Sequence, residues 1–153
     1  MITKYDVTKE ALLRCADLAG LDDSSMAELI WRGEEQTLKE GQVVYVSGAK
    51  LDHTFGLVLS GDLVVEKAGK ILGGIAEDEI FGEMAYFTTQ RVRTATVRVG
   101  SPEAVILKFR LTPTELADPR LSGLRKCLSL HTWNKFVRTS QRPSECEETV
   151  LTG

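Results

Sequence analysis

The chain has 153 residues, 19 Lys and Arg against 22 Asp and Glu, a net charge of -3 and 42% hydrophobic residues. That length holds one domain with enough apolar material to close a core, because a domain of about 150 residues buries roughly 70% of its unfolded surface. The slightly acidic balance, without a dense Lys/Arg run, argues against direct nucleic-acid binding, and no apolar run approaches the roughly 20 residues of a membrane helix. The opening MITKYDVTKEALLRC has no secretory apolar region, so a cytoplasmic protein without membrane insertion is expected.

In chain order, the first 33 residues form a helical lead-in. Ala11, Leu12, Cys15 and Leu18 recur near the helical period after a cap at Thr8, and Gly20 ends this helix. Asp22 to Ser25 offer caps for a second helix with an apolar face of Met26, Leu29 and Ile30, extended by Trp31. From 34 to 110 the texture changes to short β-prone runs cut by turn residues, the pattern of a sandwich or barrel. The runs are 43–46, 54–59, 63–65, 71–72, 94–99 and 104–109, and the lone pair Gly73-Gly74 serves a strand bend rather than a phosphate cradle. In TATVRV, Ala95, Val97 and Val99 alternate with Thr96 and Arg98, as in a half-buried strand. Over 111–139 the helical period returns. Leu121, Leu124 and Leu128 make one stripe after Pro119, and Leu130, Trp133 and Val137 continue beside it, with Trp133 expected in the core. Residues 140–153 read as a loose tail.

The usual catalytic signatures are missing. Cys15, Cys127 and Cys146 make no CxxC pair and read as reduced thiols, and His53 and His131 stand far apart without companion metal ligands. No GxSxG, Walker or GxGxxG motif occurs. A noncatalytic protein without cofactor or metal is expected, and a cupin-like metalloenzyme lacks its histidine cluster.

The informative segment is 81–97, where FGEMAYF is followed, after a polar loop, by RVRTATV. Together with LKEGQVVYVSG and FGLVLSGDLVVEKAGK upstream, it resembles the cyclic-nucleotide-binding domain family of protein kinase A regulatory subunits, catabolite activator protein and cyclic-nucleotide-gated channels. The resemblance implies an antiparallel β-roll, jelly-roll-like, with N-terminal helices and a C-terminal helix, and a phosphate-binding cassette at 81–97. It implies cyclic AMP or cyclic GMP as ligand, sensed by 34–110 and relayed to the C-terminal helix. A homodimer or an effector protein is the expected partner.

Chemistry agrees with that cassette. A short helix starting at Gly82-Glu83 aims unpaired N–H groups at an anion, and Gly82 permits close approach. Arg93 supplies a permanent charge and a planar donor fork for the phosphate, with Thr94 and the Ala95 amide as further donors. Glu83 repels phosphate, and by resemblance its carboxylate accepts from the ribose 2′-hydroxyl. Met84 and Ala85 complete the ligand segment, and the side chains of Met84, Ala85, Tyr86 and Phe87 are expected to pack beneath the short helix. The loop 88–92 is one residue longer than the family's usual spacing and must bulge, which brings Arg91 forward as a competitor for phosphate. Glu77, Asp78 and Glu79 either repel an anion or face solvent. Thr94 leaves the base open. The rival reading is the same fold without ligand, acting as a protein interaction scaffold.

Overall fold

The computed structural model describes residues 3–140, with side chains as far as Trp133. Helix α1 (Lys4–Arg14) starts at Thr3 rather than at Thr8, because the Thr3 hydroxyl accepts from the Asp6 amide while Asp6 reciprocates at the Thr3 amide. This capping box satisfies two amide donors at once, so Thr8 is left inside the helix and buried. The helix also ends before Gly20: Cys15 is extended, and a 3-10 turn at Ala16–Leu18 carries Leu18 into the core. Helix α2 (Asp23–Arg32) buries Ser25, Leu29 and Ile30. Trp31, expected to extend that face, is 86% exposed, since one further 100° step along the helix carries it off the buried side.

Eight strands follow: β1 (Gly33–Lys39), β2 (Val43–Tyr45), β3 (Thr54–Ser60), β4 (Leu63–Lys67), β5 (Lys70–Ile75), β6 (Ile80–Phe81), β7 (Thr96–Val99) and β8 (Glu103–Arg110). They form two antiparallel four-stranded sheets, in the orders β1-β8-β3-β6 and β2-β7-β4-β5. This is the antiparallel β-roll with flanking helices that the sequence implies. Strand β1 was not among the expected runs. Its GEEQTLK buries only Gly33 and Leu38, and it is held by backbone pairing with β8 along its whole length. Its charged side chains suit a sheet edge. The β4–β5 register shifts beside Gly73, where the sequence predicts a bend.

Two apolar layers result. Between the sheets, Val58, Phe81 and Ile106 meet Tyr45, Leu63, Ile75, Val97 and Val99. On the outer face of the first sheet, Phe55, Leu57, Leu107 and Phe109 pack against Leu12, Leu29 and the C-terminal helices. Strands β3 and β8 are therefore covered on both faces, which accounts for their nearly continuous apolar runs. The C-terminal segment comprises α3 (Pro113–Leu116), a 3-10 turn at Pro119–Leu121 and α4 (Ser122–Ser140).

Leu121, Leu124 and Leu128 are buried as expected, but the stripe continues to His131. Leu130 and Trp133 are more than half exposed, so Trp133 is not a core residue. The buried positions advance by three, four and three residues, which places 131 inside and turns 130 and 133 outward. Of the tail read at 140–153, Ser140 instead belongs to α4, and 141–153 with Cys146 lie outside the described residues, as does the side chain of Val137. Among the described residues, no helix is long and apolar enough to cross a membrane.

One close contact tests the packing between the sheets. A Cβ added at Gly56 would lie 2.3 Å from Phe81 Cζ. Gly56→Ala is expected to destabilise the fold by about 1–3 kcal/mol, the usual cost of overpacking. In urea unfolding this appears as a lower midpoint with an unchanged slope.

Candidate functional site

Strand β6 pairs Phe81 with Gly56 and Ile80 with Leu57, which delivers the chain to Gly82 at the end of the first sheet. Gly82 has φ +80°, and a Cβ there would sit 2.6 Å from Tyr45 Cε2 and 3.0 Å from Arg93 Nη1. Only glycine adopts this backbone without strain and leaves space for the guanidinium. The chain then enters a 3-10 turn, Glu83–Tyr86, closed by the Phe87 amide donating to the Met84 carbonyl.

Arg93 arrives from the other half of the cassette. Its amide donates to the Ala49 carbonyl at 2.8 Å and its carbonyl accepts from the Gly48 amide at 2.8 Å, so its backbone is clamped before β7 begins. The side chain is 4% exposed. Nη1 donates to the Gly82 carbonyl at 2.7 Å, and Nη2 donates to Asp52 Oδ1 at 2.6 Å and to the Thr54 carbonyl at 2.8 Å. The guanidinium lies over the Tyr45 ring, 3.5 Å from its centroid. The Thr54 hydroxyl donates to Asp52 at 2.7 Å and sits 2.9 Å from the Tyr45 hydroxyl.

This cage shapes its own ionisation. Partial burial opposes ionisation of Asp52, but the bonds from Thr54 and Arg93 outweigh it and hold the carboxyl below its ordinary value. Burial pushes the Tyr45 hydroxyl up to about 12, against the pull of Arg93. Neither Asp52 nor Tyr45 is in the expected site. Both come from segments upstream of the cassette, and only the fold brings them to Arg93.

Six of the seven expected residues line one cleft: Gly82, Met84, Ala85, Arg93, Thr94 and Ala95, walled by Tyr45, Val65, Ile75, Phe81 and Val97. Glu83 is not among them. It is fully buried and points to α4, where His131 Nδ1 lies 2.8 Å from Glu83 Oε2 and the Thr132 hydroxyl 3.5 Å from it. His131 Nε2 in turn lies 3.2 Å from Asp17 Oδ2. His131 went unrecognised as a site residue, although its spacing from Leu121, Leu124 and Leu128 carries the signal. A histidine on a buried helical stripe needs a polar partner.

The loop 88–92 turns through Arg91, whose φ is +55°. Arg91 does not compete for the cleft, because its Nη1 donates to the Tyr86 carbonyl. The acids at 77–79 are occupied elsewhere: Asp78 pairs with Arg14 at 3.2 Å, Glu79 accepts from the Ala76 amide and Glu77 from the Gly61 amide. Of the four side chains expected to pack beneath the turn, Ala85 and Tyr86 are buried, but Met84 is half-buried at the cleft and Phe87 is exposed. The cleft encloses ≈ 70 Å³. Small-molecule pockets commonly span about 300–1,000 Å³, so this one is small. Among the described residues, no group of three or more His, Cys, Asp or Glu is placed to hold a metal ion.

Comparison with known proteins identifies the family and the fold. The family model described as "Cyclic nucleotide-binding domain" matches residues 35–112. Among solved structures, PKAR CBD2 bound to Sp-2Cl-cAMPS superposes with a TM-score of 0.70 at 17% identity, over 89% of this chain and 90% of that one. The sensor domain of the transcriptional regulator DNR from Pseudomonas aeruginosa gives 0.67 at 20% identity, over 97% and 96%. The regulatory subunit of a cAMP-independent protein kinase A from Trypanosoma brucei gives 0.68 at 15% identity, over 80% of this chain and 43% of that one. No curated protein sequence matches the chain. At these identities the structural likenesses show a shared fold.

The Asp52–Arg93 pair predicts a pH dependence. Because the folded Asp52 carboxyl titrates below its ordinary value, its contribution to stability is present above the unfolded value near about pH 4 and is lost as pH falls through the lower folded value. Asp52→Asn is therefore expected to be less stable than wild type at neutral pH, with the difference shrinking in acid. Thermal unfolding of both proteins from pH 7 to pH 3 measures it.

Proposed function

The chain belongs to the cyclic nucleotide-binding domain family, and from that premise we propose that it binds cyclic AMP or cyclic GMP without catalysis and relays binding to its C-terminal helix. The observation that carries this reading is that two distant segments, Gly82–Ala85 and Arg93–Ala95, meet at one cleft around a buried guanidinium. Arg93 takes the cyclic phosphate. A guanidinium has five N–H donors; Nη1 spends one on Gly82 and Nη2 shares its two among Asp52 and Thr54, which leaves the second Nη1 hydrogen and Nε–H for a further acceptor. The phosphate also competes with Asp52 for Nη2, so affinity reflects the gain over an existing ion pair rather than over water.

Thr94 and the Ala95 amide complete the anion's shell, and Val65, Ile75 and Met84 form the apolar wall against which the base packs. A nucleotide displaces the walls of this small cleft, the turn Glu83–Tyr86 among them. That turn touches both sides: Met84 and Ala85 line the cleft, and Glu83 meets His131 on α4. Displacing it from within therefore acts on α4, which is the relay. In this reading residues 34–110 are the sensing unit and 111–139 the output segment.

Isothermal titration calorimetry with each cyclic nucleotide tests the proposal. Wild type is expected to show saturable binding. Arg93→Lys, which keeps the charge and loses the fork, is expected to bind about tenfold or more weakly, the cost of at least one hydrogen bond to a charged group. If neither nucleotide binds wild type, the binding reading is wrong, and pull-down of a protein partner alongside would favour the interaction-scaffold reading. Unchanged hydrogen–deuterium exchange in α4 on saturation would overturn the relay alone.

A further inference from the structure

We propose that the outward crest of α4, formed by Lys126, Leu130 and Trp133, is a docking surface for an anionic lipid bilayer, held at the interface without crossing it. The crest lies apart from the cleft, and its role does not depend on a ligand there.

Helix phase builds the crest. The buried stripe of α4 runs through Leu124, Leu128 and His131. At about 100° per residue, positions 126, 130 and 133 fall opposite that stripe, and their spacing of four and three residues stacks them on one face. Leu130 is 56% exposed and Trp133 60%. A single exposed leucine is ordinary. A Leu and a Trp in adjacent turns instead make an apolar ridge, with a lysine one turn before them. Trp suits a membrane interface because its ring is apolar and its indole N–H is polar. A lysine lays its methylenes on the apolar layer while its ammonium stays among the headgroups.

Charge selects the kind of surface. Helix α4 contains Arg125, Lys126, Lys135 and Arg138 and no Asp or Glu, in a chain whose net charge is -3. The rest of the molecule is therefore acidic, and α4 is a local basic element. Asp17 and Glu83 meet it on the buried side at His131, and Asp22 approaches it at Gly123, near its start. Charges more than about 10 Å apart are screened at about 0.1 M salt, so a surface touching the crest responds to the cations of α4 rather than to the net charge. A second copy packed crest to crest would set one basic helix against another. A peptide seats its anchor side chains in a groove, whereas this face is a ridge. An anionic bilayer matches both properties: its acyl boundary takes the Leu and Trp side chains, and its negative surface attracts the Lys and Arg.

The test uses the full chain carrying Trp31→Phe, which leaves Trp133 as the one tryptophan. Trp31 is 86% exposed, so the fold tolerates the change. With vesicles of phosphatidylcholine and phosphatidylserine in equal parts, the Trp133 emission is expected to shift to shorter wavelength and the chain to sediment with the lipid. Phosphatidylcholine alone is expected to give neither. Lys126→Gln is expected to weaken binding about fivefold, the worth of one cation near such a surface, and Leu130→Ser by about fivefold or more. Thermal unfolding of both variants is expected to match the parent, because neither side chain is in the core.

An unshifted emission with the phosphatidylserine vesicles overturns the proposal. So does lipid binding that survives unchanged in Lys126→Gln and Leu130→Ser, which would place it on another face. Without lipid binding, a dimer in sedimentation velocity that Leu130→Ser dissolves would assign the crest to a second copy, and an emission shift with polyglutamate would assign it to an acidic polypeptide. No cyclic nucleotide enters these measurements, so their outcome is separate from that of the calorimetry.

Discussion

A guanidinium that is 4% exposed has left bulk water, and it stays there only because acceptors meet it from several directions. Around Arg93 these come from four places: the Gly82 carbonyl, the Thr54 carbonyl, the Asp52 carboxylate and the face of Tyr45. Tyr45 belongs to one sheet, Thr54 to the other, and Gly82 to the turn that leaves it. The charge therefore joins the two sheets at the end where the cleft opens. Glycine at 82 is part of the same requirement, because any side chain there would occupy the place of the Tyr45 ring or the guanidinium.

That arrangement makes the cassette a two-faced element. Its backbone and the side chains of Met84 and Ala85 look into the cleft, while Glu83 looks to α4. Tyr86 reaches further back, its hydroxyl donating to the Leu111 carbonyl at 2.7 Å and its ring meeting Phe55 edge-on. A turn of four residues is too short to deform on one face alone. The turn that walls the cleft thus also touches Leu111 and His131, at the start and in the body of the C-terminal segment.

The sheet and the cassette were legible because their signals are local. Alternation in TVRV, the glycine breaks and the spacing of FGEMA and RTATV each report on a few neighbouring residues. Strand β1 was not legible, because a polar edge strand is defined by its partner β8 rather than by its own pattern. The same holds within the site. Gly82, Arg93, Thr94 and Ala95 could be named from the motif, whereas Asp52 and Tyr45 reach Arg93 only through sheet pairing. Trp133 was misplaced because bulk suggests burial, yet the helix phase set by Leu121, Leu124 and Leu128 selects His131. A polar residue on an apolar stripe was the stronger sign, and its meaning required knowing that Glu83 faced it.

The polar groups of the site are partnered before any ligand arrives: Arg93 by Asp52, and Glu83 by the imidazole of His131. An anion entering such a cleft exchanges one partner for another, so the net gain is a difference between two short contacts rather than the full attraction of either. Asp52 is about half exposed and returns to water when displaced, which lowers the cost of the exchange on the phosphate side. Glu83 is fully buried and has no such escape, so its partner can change only when the turn or α4 moves. The two halves of the cassette are thereby unequal: the phosphate half exchanges partners locally, and the carboxylate half exchanges them only through a change of conformation. Under the proposed function, that inequality is what gives binding at one end of the cleft a structural consequence at the other.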